Sequence, residues 1–409
     1  MFPLKIKTFI IKIYLCLFIA VTFADGQDRQ LESKLNPGCI GCDIAKNSLI
    51  YTRAQGPDDT IHQIWDFTDH VPAVVYLIGS PNSTLNILWQ KSQPDKFEFS
   101  ESPAVSYSFA AAIESIIEYN DLKDNGQYDP DMPRKDKQFW PLDHMSWTIT
   151  DSVLTQKEAM VALRGEGRRP GFIELKLDIL PFKDYALELP HLIHTANSTL
   201  IDVRLVNYTE HRNFNSSRFA LRFVLASTDP PWSTWTKDMR KSLDDEHTPG
   251  VFEIIEIKSS RVSGGGFVQF RPVAYTEPER GVSSSTNAYI TNFNKTSLPS
   301  RSILRTLYRD YFDVHFYYRD NEPVNLVIQE AVVSFGLGGD GFYKHHNFTS
   351  WAFTIGYGSP PLEGFSLFVL IVISIGLGVP ILLALSGVTY MLVRRCKQRN
   401  PPARFTNDE

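Results

Sequence analysis

From Phe365 to Val393 the chain carries no charged residue, and leucine, isoleucine, valine and phenylalanine dominate the run. A bilayer's hydrocarbon core, about 30 Å thick, takes roughly 20 apolar residues as a helix, so this stretch is long enough to span with some tilt. Its interior Gly376, Gly378, Gly387 and Pro380 are tolerated in membrane helices far better than in soluble ones. Arg394-Arg395-Cys396-Lys397-Gln398-Arg399 follows at once, a basic stop-transfer cluster that puts residues 394–409 in the cytosol. A buried helix of a soluble protein rarely runs this far without one charge.

The other end carries the matching signal. Lys5, Lys7 and Lys12 precede or punctuate the apolar run Ile13–Val21, and Thr22 and Ala24 offer small residues for a cut before Asp25. That pattern predicts a secretory signal peptide over residues 1–24. A signal plus one late span over residues 365–393 makes a type I membrane protein with its body, residues 25–361, in a lumen or outside the cell. The body's length predicts two domains, divided near residue 185 into 25–185 and 186–361. A formal net charge of -5 gives no reason to expect nucleic acid.

Cysteine is scarce for an oxidising compartment. Cys16 leaves with the signal and Cys396 is cytosolic, so Cys39 and Cys42 are the lumenal pair. They lie in the turn-rich arm Asn36-Pro37-Gly38-Cys39-Ile40-Gly41-Cys42, whereas a redox C-x-x-C opens a helix in a βαβ unit. A local structural disulfide is expected. One pair supplies too few ligands for zinc.

Short apolar runs then alternate with Gly, Pro, Asn and Asp turns, which predicts a mainly β, sandwich-type ectodomain. Strands are expected at Ser48–Tyr51, Thr60–Phe67, Ala73–Ile78, Leu85–Trp89, Ser146–Thr150, Gly171–Leu180, Leu200–Val206, Phe219–Ala226, Phe252–Lys258, Phe267–Tyr275, Tyr311–Tyr318 and Val324–Phe335. Ala104–Tyr119 is ambiguous. Phe109, Ile113, Ile116 and Ile117 recur at helical spacing, whereas Val105, Tyr107 and Phe109 alternate; its neighbours favour a strand.

Six N-x-S/T sequons, at Asn82, Asn197, Asn207, Asn215, Asn294 and Asn347, all fall in the body. Each can meet the glycosylation machinery and is expected at the surface. A glycan coat shields backbone from proteases.

No motif rises to a catalytic assignment. Gly336-Leu337-Gly338-Gly339-Asp340-Gly341 fits G-x-G-x-x-G, but the Phe342–Thr349 segment after it has no helical period to carry a dinucleotide's pyrophosphate; a glycine-rich turn is expected. In Asp121–Asp131, Asp121, Asn125, Gly126 and Asp129 match positions one, five, six and nine of a calcium loop. Lys123 and Met132 stand where oxygen ligands belong, and a solvated acidic turn is the better account. His191, His194, His345 and His346 lack any metalloprotease context. Trp232-Ser233-Thr234-Trp235-Thr236 matches the W-S-x-W-S pattern of cytokine receptors without their disulfides; a W-x-x-W can also accept mannose on tryptophan. No cofactor or metal is expected.

Taken together, these features resemble the glycosylated lysosomal membrane protein family. The likeness rests on Tyr76-Leu77-Ile78-Gly79-Ser80, on Tyr107-Ser108-Phe109-Ala110 through Glu118-Tyr119-Asn120-Asp121, on Trp351-Ala352-Phe353-Thr354-Ile355-Gly356-Tyr357-Gly358-Ser359-Pro360-Pro361 and on Gly376-Leu377-Gly378-Val379-Pro380. It covers about residues 36 to 395. The resemblance implies a non-enzymatic accessory subunit in the lysosomal membrane, which pairs with a transporter of the major facilitator superfamily and protects it from proteolysis. Gly376 and Gly378 become candidates for contact with the partner's helices, and homo-oligomerisation stays open. A cell-surface β-sandwich receptor or adhesion protein, and a membrane-tethered lysosomal hydrolase, are the rivals. The tail departs from the tyrosine- or leucine-based cytosolic sorting signal that lysosomal proteins usually carry: residues 394–409 hold neither tyrosine nor leucine, and Tyr390-Met391-Leu392-Val393, which fits the tyrosine pattern by letter, lies within or against the bilayer.

Overall fold

Along Ala159–Glu166 and Phe172–Asp178 every second residue is buried, the mark of strands with one face on a core and one toward water. Thr60–Asp66 and Ala73–Gly79 are buried at every position, so their sheet must be covered on both faces. The computed structural model, which describes residues 29–100, 105–181, 197–230, 232–242, 253–261, 264–271, 274–281, 284–297, 318–319, 322–323, 326–361 and 367–399, shows how.

Among the described residues, one antiparallel sheet of nine strands runs in the order β1 (Gln30–Leu35), β2 (Leu49–Gln55), β3 (Thr60–Asp66), β4 (Ala73–Gly79), β7 (Val105–Asn120), β13 (Ser217–Ser227), β22 (Val327–Phe335) and β19 (Ala288–Lys295). Its ninth strand, β8 (Lys137–Pro141), pairs with β7. The second sheet has ten strands. Its order is β14 (Thr236–Lys241), β15 (Glu253–Lys258), β16 (Gly265–Phe270), β23 (Phe348–Gly358), β12 (Ser198–Val206), β11 (Phe172–Asp178), β10 (Ala159–Glu166) and β9 (Ser146–Leu154), with β17 (Ala274–Tyr275) also paired to β23 and β18 (Ser285–Thr286) paired to β17. The hairpin β5 (Leu85–Gln90) and β6 (Gln93–Phe99) stands apart, as do the two-residue strands β20 (Tyr318–Arg319) and β21 (Glu322–Pro323).

The two sheets share one core, in which Trp65, Tyr76, Phe109 and Phe223 of the first meet Leu175, Val203, Trp351 and Phe353 of the second. Phe223 meets Phe353 edge-on at 5.3 Å, a favoured aromatic geometry. Polar links cross the same gap: the Tyr76 hydroxyl donates to the Ile355 carbonyl at 2.9 Å, and Gln63 to Thr199 at 2.9 Å. A third layer explains β3 and β4. The β5–β6 hairpin lays Ile87 and Phe97 over Ile64, Val75 and Leu77 on the outer face.

The body is therefore a β-sandwich, as expected, but one unit running to Pro361 rather than two domains. No boundary lies near residue 185: β11 before it and β12 after it are sheet neighbours, and β7 pairs with β13 over eleven residue pairs. The chain reaches its length by covering a sandwich with extra layers.

β7 also resolves the ambiguous run. Its register with β13 shifts where Ser115 faces Arg222 and Ile113 faces Phe223, which leaves Glu114 bulged out. A bulge exchanges the faces that follow it. Tyr107, Phe109, Ala111 and Ile113 point into the inter-sheet core before it, as does Ile116 after it, whereas Ile117 and Tyr119 join a cluster on the outer face. The helical spacing of Phe109, Ile113 and Ile116 is the imprint of that bulge.

Beyond the sandwich, α1 (Tyr343–His346) is one turn and α2 (Leu367–Arg399) is a single helix with Pro380 inside it. Leu370–Arg395 within α2 is long and apolar enough to cross a bilayer. Ser386 and Thr389 return their hydroxyls to the carbonyls of Leu383 and Leu385, leaving little polarity for lipid to meet. The expected signal peptide, His191 and His194, most of the strand expected at Tyr311–Tyr318 and the end of the tail lie outside the described residues.

Candidate functional site: the sequon-bearing end of the sandwich

Where β7 ends and β13 begins, the two loops that mimic a calcium site and a dinucleotide site come together around Arg218. This arginine is buried at 4% exposure. Its guanidinium reaches Asp121 at 2.8 Å, Asp124 at 2.7 Å and Asp340 at 2.6 Å, and donates to the Leu337 carbonyl at 3.0 Å. Phe342 lies against it, 4.8 Å from ring centre to guanidinium carbon. The carboxylates also cap the loops: Asp121 accepts from the amides of Asn125 and Gly126, and Asp124 from that of Gly339. Burial works against the ionised form of Asp340, but hydrogen bonds from Arg218, Leu337 and Phe342 hold its carboxyl below the usual range.

Two glycines are required here for contact rather than for phosphate. A Cβ on Gly126, whose φ is +73°, would stand 2.3 Å from the backbone nitrogen of Gly336; one on Gly336 would stand 2.3 Å from the Arg218 guanidinium. The loops and the arginine are stacked in backbone-to-guanidinium contact. Arg218 occupies the place a cation would take, Asp129 faces Lys123 at 3.6 Å instead, and no metal-holding group occurs among the described residues.

A second, half-buried arginine stands near the first. Arg169 reaches the fully buried Glu118 at 2.7 Å and stacks on Trp140 at 4.2 Å and Tyr208 at 5.0 Å. Glu118 further accepts from Ser217 at 2.7 Å and from the His211 amide at 2.6 Å. Burial, and then Glu118 itself, push the nearby Glu210 carboxyl upward. Sequence reading missed Glu118, Arg169 and Arg218. The available signal was a charge inside an otherwise strand-like run, as in Ile116-Ile117-Glu118-Tyr119 and Ser217-Arg218-Phe219-Ala220.

These pairs fix the loops that carry three of the six sequons. Asn207 follows β12 and Asn347 precedes β23; both take left-handed backbone at φ +51°, which asparagine tolerates. The Asn207 amide donates to the Asn347 carbonyl at 2.8 Å, and Lys344 donates to the Asn215 carbonyl at 2.8 Å. Tyr343 of α1 accepts from the Tyr208 amide at 2.8 Å. Asn207, Asn215 and Asn347 are thus clustered and exposed, at the opposite end of β23 from its exit toward Pro361. Asn82 and Asn294 are exposed elsewhere, and Asn197 is half-buried with its side-chain Oδ1 accepting from Arg29 at 2.7 Å.

Cys39 and Cys42 form a disulfide in an arm that Trp89 ties down by donating to the Pro37 carbonyl at 2.8 Å. The His345 and His346 rings are tilted against each other with centres 4.1 Å apart, and they belong to no metal-holding group among the described residues. Gly376 and Gly378 are both in α2 with nothing against them. Residues two apart in a helix lie about 200° apart around the axis, so these glycines mark opposite faces rather than one. Gly376 shares its face with Pro380, Ala384 and Gly387 instead.

Comparison with known proteins bears on the whole arrangement. A family model described as glycosylated lysosomal membrane protein matches residues 48–398. Similar curated proteins include the glycosylated lysosomal membrane protein of Danio rerio, 28% identical over 391 residues, 91% of this chain and 90% of that one. Glycosylated lysosomal membrane protein A of Xenopus laevis is 26% identical over 402 residues, 91% of each chain. The Homo sapiens protein of that name is 24% identical over 386 residues, 90% of this chain and 89% of its own.

Proposed function

Because the chain belongs to the glycosylated lysosomal membrane protein family, lysosomal and single-pass, we propose that it is a non-enzymatic accessory subunit. It binds a lysosomal transporter of the major facilitator superfamily and shields it from lysosomal proteases. The observation that carries this reading is the cluster of Asn207, Asn215 and Asn347 on loops pinned by buried ion pairs. Three glycans based on one rigid end make a screen of fixed position, whereas glycans on loose loops would sweep. The catalytic rival needs carboxylates free to move protons, and here Glu118, Asp121, Asp124 and Asp340 are engaged by arginine.

The membrane helix supports a second contact. Without a hydrophobic drive between helices in lipid, close approach of small residues does the joining, and the face of Gly376, Pro380, Ala384 and Gly387 allows it. Removing this protein from cells is expected to shorten the transporter's half-life; an unchanged half-life overturns the reading. With the protein restored, Gly376→Leu should reduce co-purification of the transporter while Gly378→Leu, on the far side of α2, should not. Equal recovery with both variants would leave α2 as an anchor only.

A further inference from the structure

Of the seven tryptophans in the chain, Trp65, Trp147, Trp235 and Trp351 are buried, Trp89 and Trp140 are half-buried, and Trp232 is 83% exposed. Trp232 is also the first tryptophan of the chain's one W-x-x-W, Trp232-Ser233-Thr234-Trp235. The two members of that motif have opposite fates. Trp235 is 2% exposed, 6.5 Å from Phe109 in the inter-sheet core, and its amide donates to Gln329 at 3.1 Å. Ser233 donates to the Pro230 carbonyl through both its amide, at 2.8 Å, and its hydroxyl, at 2.6 Å. That tight turn throws the intervening Trp232 outward.

We propose that Trp232 is a C-mannosylation site. The spacing is the one read on nascent chains in the endoplasmic reticulum lumen, the compartment that the signal peptide and single span assign to this segment. The sugar goes to the first tryptophan, and here that is the indole the fold leaves open. In the reaction the anomeric carbon of mannose moves from a polyprenyl-phosphate donor to C2 of the indole. The carbon–oxygen bond to phosphate breaks, and the polyprenyl phosphate leaves with its electron pair. A carbon–carbon bond forms and the C2 proton is lost, restoring aromaticity. No oxidant or reductant is needed. The product answers a physical oddity: a large apolar ring standing in water gains a coat of hydroxyls, while the core-forming Trp235 keeps the bare indole that its packing requires.

The test uses the full-length protein purified from animal cells that also express a reporter bearing the same motif. After enzymatic removal of N-glycans and proteolysis, the peptide spanning Trp232 should carry the mass of one hexose. Fragmentation should place that hexose on Trp232, without the whole-sugar loss typical of sugars on the Ser233, Thr234 or Thr236 hydroxyls. Trp232→Phe should abolish the added mass. If the reporter is modified and Trp232 is bare, or if the hexose maps to a hydroxyl, the proposal fails. Because the readout is a mass on the wild-type chain, it does not depend on any variant folding.

Discussion

Arg218→Met should lower the stability of the lumenal body by about 3–5 kcal/mol, the cost of removing one partner from a buried ion-pair cluster. At about 2 °C per kcal/mol for a chain of this size, that is a fall in melting temperature of about 6–10 °C. Methionine fills much of the volume, so the loss isolates the charge: Asp121, Asp124 and Asp340 would all face the gap without the guanidinium that now reaches each of them within 2.8 Å. Arg218→Lys should fall between the two, because one ammonium cannot present a planar fork to three carboxylates and the Leu337 carbonyl at once. The order wild type, Lys, Met in a thermal melt checks the geometry; a methionine variant within about 1 kcal/mol of wild type would refute it. The wild-type melt should also be the same in calcium and in EGTA, since a guanidinium already holds Asp121, the carboxylate at position one of the calcium-loop likeness, and Asp129 faces Lys123.

Those loops show where sequence reading reaches its limit. Turn chemistry placed Asp121–Asp131 and Gly336–Gly341 outside strands, correctly, because Asp, Asn and Gly act on their own backbone neighbours. Their joint purpose depends on Arg218, 97 residues from Asp121 in sequence, and no local pattern encodes that contact. The strand pattern behaves likewise. β10 and β11 both alternate, yet only β11 lies within a run expected from sequence; β1, β6, β8, β10, β14, β19 and β23 fall outside those runs. β23 is instructive: Thr349, Ser350 and Thr354 break its apolar run, yet all are buried, and the strand has partners along both edges, β12 on one and β16 and β17 on the other. β4 is a continuous apolar run, but β3 carries His62 and Gln63 between Ile61 and Ile64; the burial of both its faces has a cause, the hairpin over the outer one, that only the tertiary structure supplies. The false domain boundary has the same origin. Length suggested two cores, whereas the chain uses its extra residues as third layers and end loops on one.

The sequon-bearing end and the core therefore divide the work of charge. At the end, buried carboxylates are matched by arginines. Under the β5–β6 hairpin the buried titratable groups are left neutral, and their protonation has consequences of opposite sign. Asp66 is fully buried, and burial raises its pKa to about 7, although the Thr68 amide and hydroxyl, at 3.0 and 2.7 Å, favour the anion. His62, wedged between the Tyr51 hydroxyl and the Ser83 hydroxyl at 2.8 Å each, is lowered by burial, then by Arg53, to about 3.

Asp66→Asn and His62→Gln should consequently tilt the stability–pH curve in opposite directions. For Asp66, the folded chain keeps its proton up to about pH 7 while the unfolded chain loses it near about 3.9, so between those values the aspartate contributes stability that falls as pH rises. For His62, the unfolded chain takes a proton below about 6.5 and the folded chain refuses it until about pH 3, so its contribution falls as pH falls. Each slope is at most about 1.4 kcal/mol per pH unit. Over roughly pH 4 to 6.5 the two cancel, which leaves the wild-type body with little pH dependence from this region across the acid range a lysosome imposes. Asp66→Asn keeps the acceptor for Thr68 and leaves His62 uncompensated: its melting temperature relative to wild type should decline on acidification, by about 5 °C over roughly two pH units. His62→Gln leaves Asp66 uncompensated, and its melting temperature relative to wild type should climb by a similar amount over the same interval. Thermal melts of the three proteins across that range decide the matter, and parallel curves would mean that neither group titrates differently in the folded and unfolded chains.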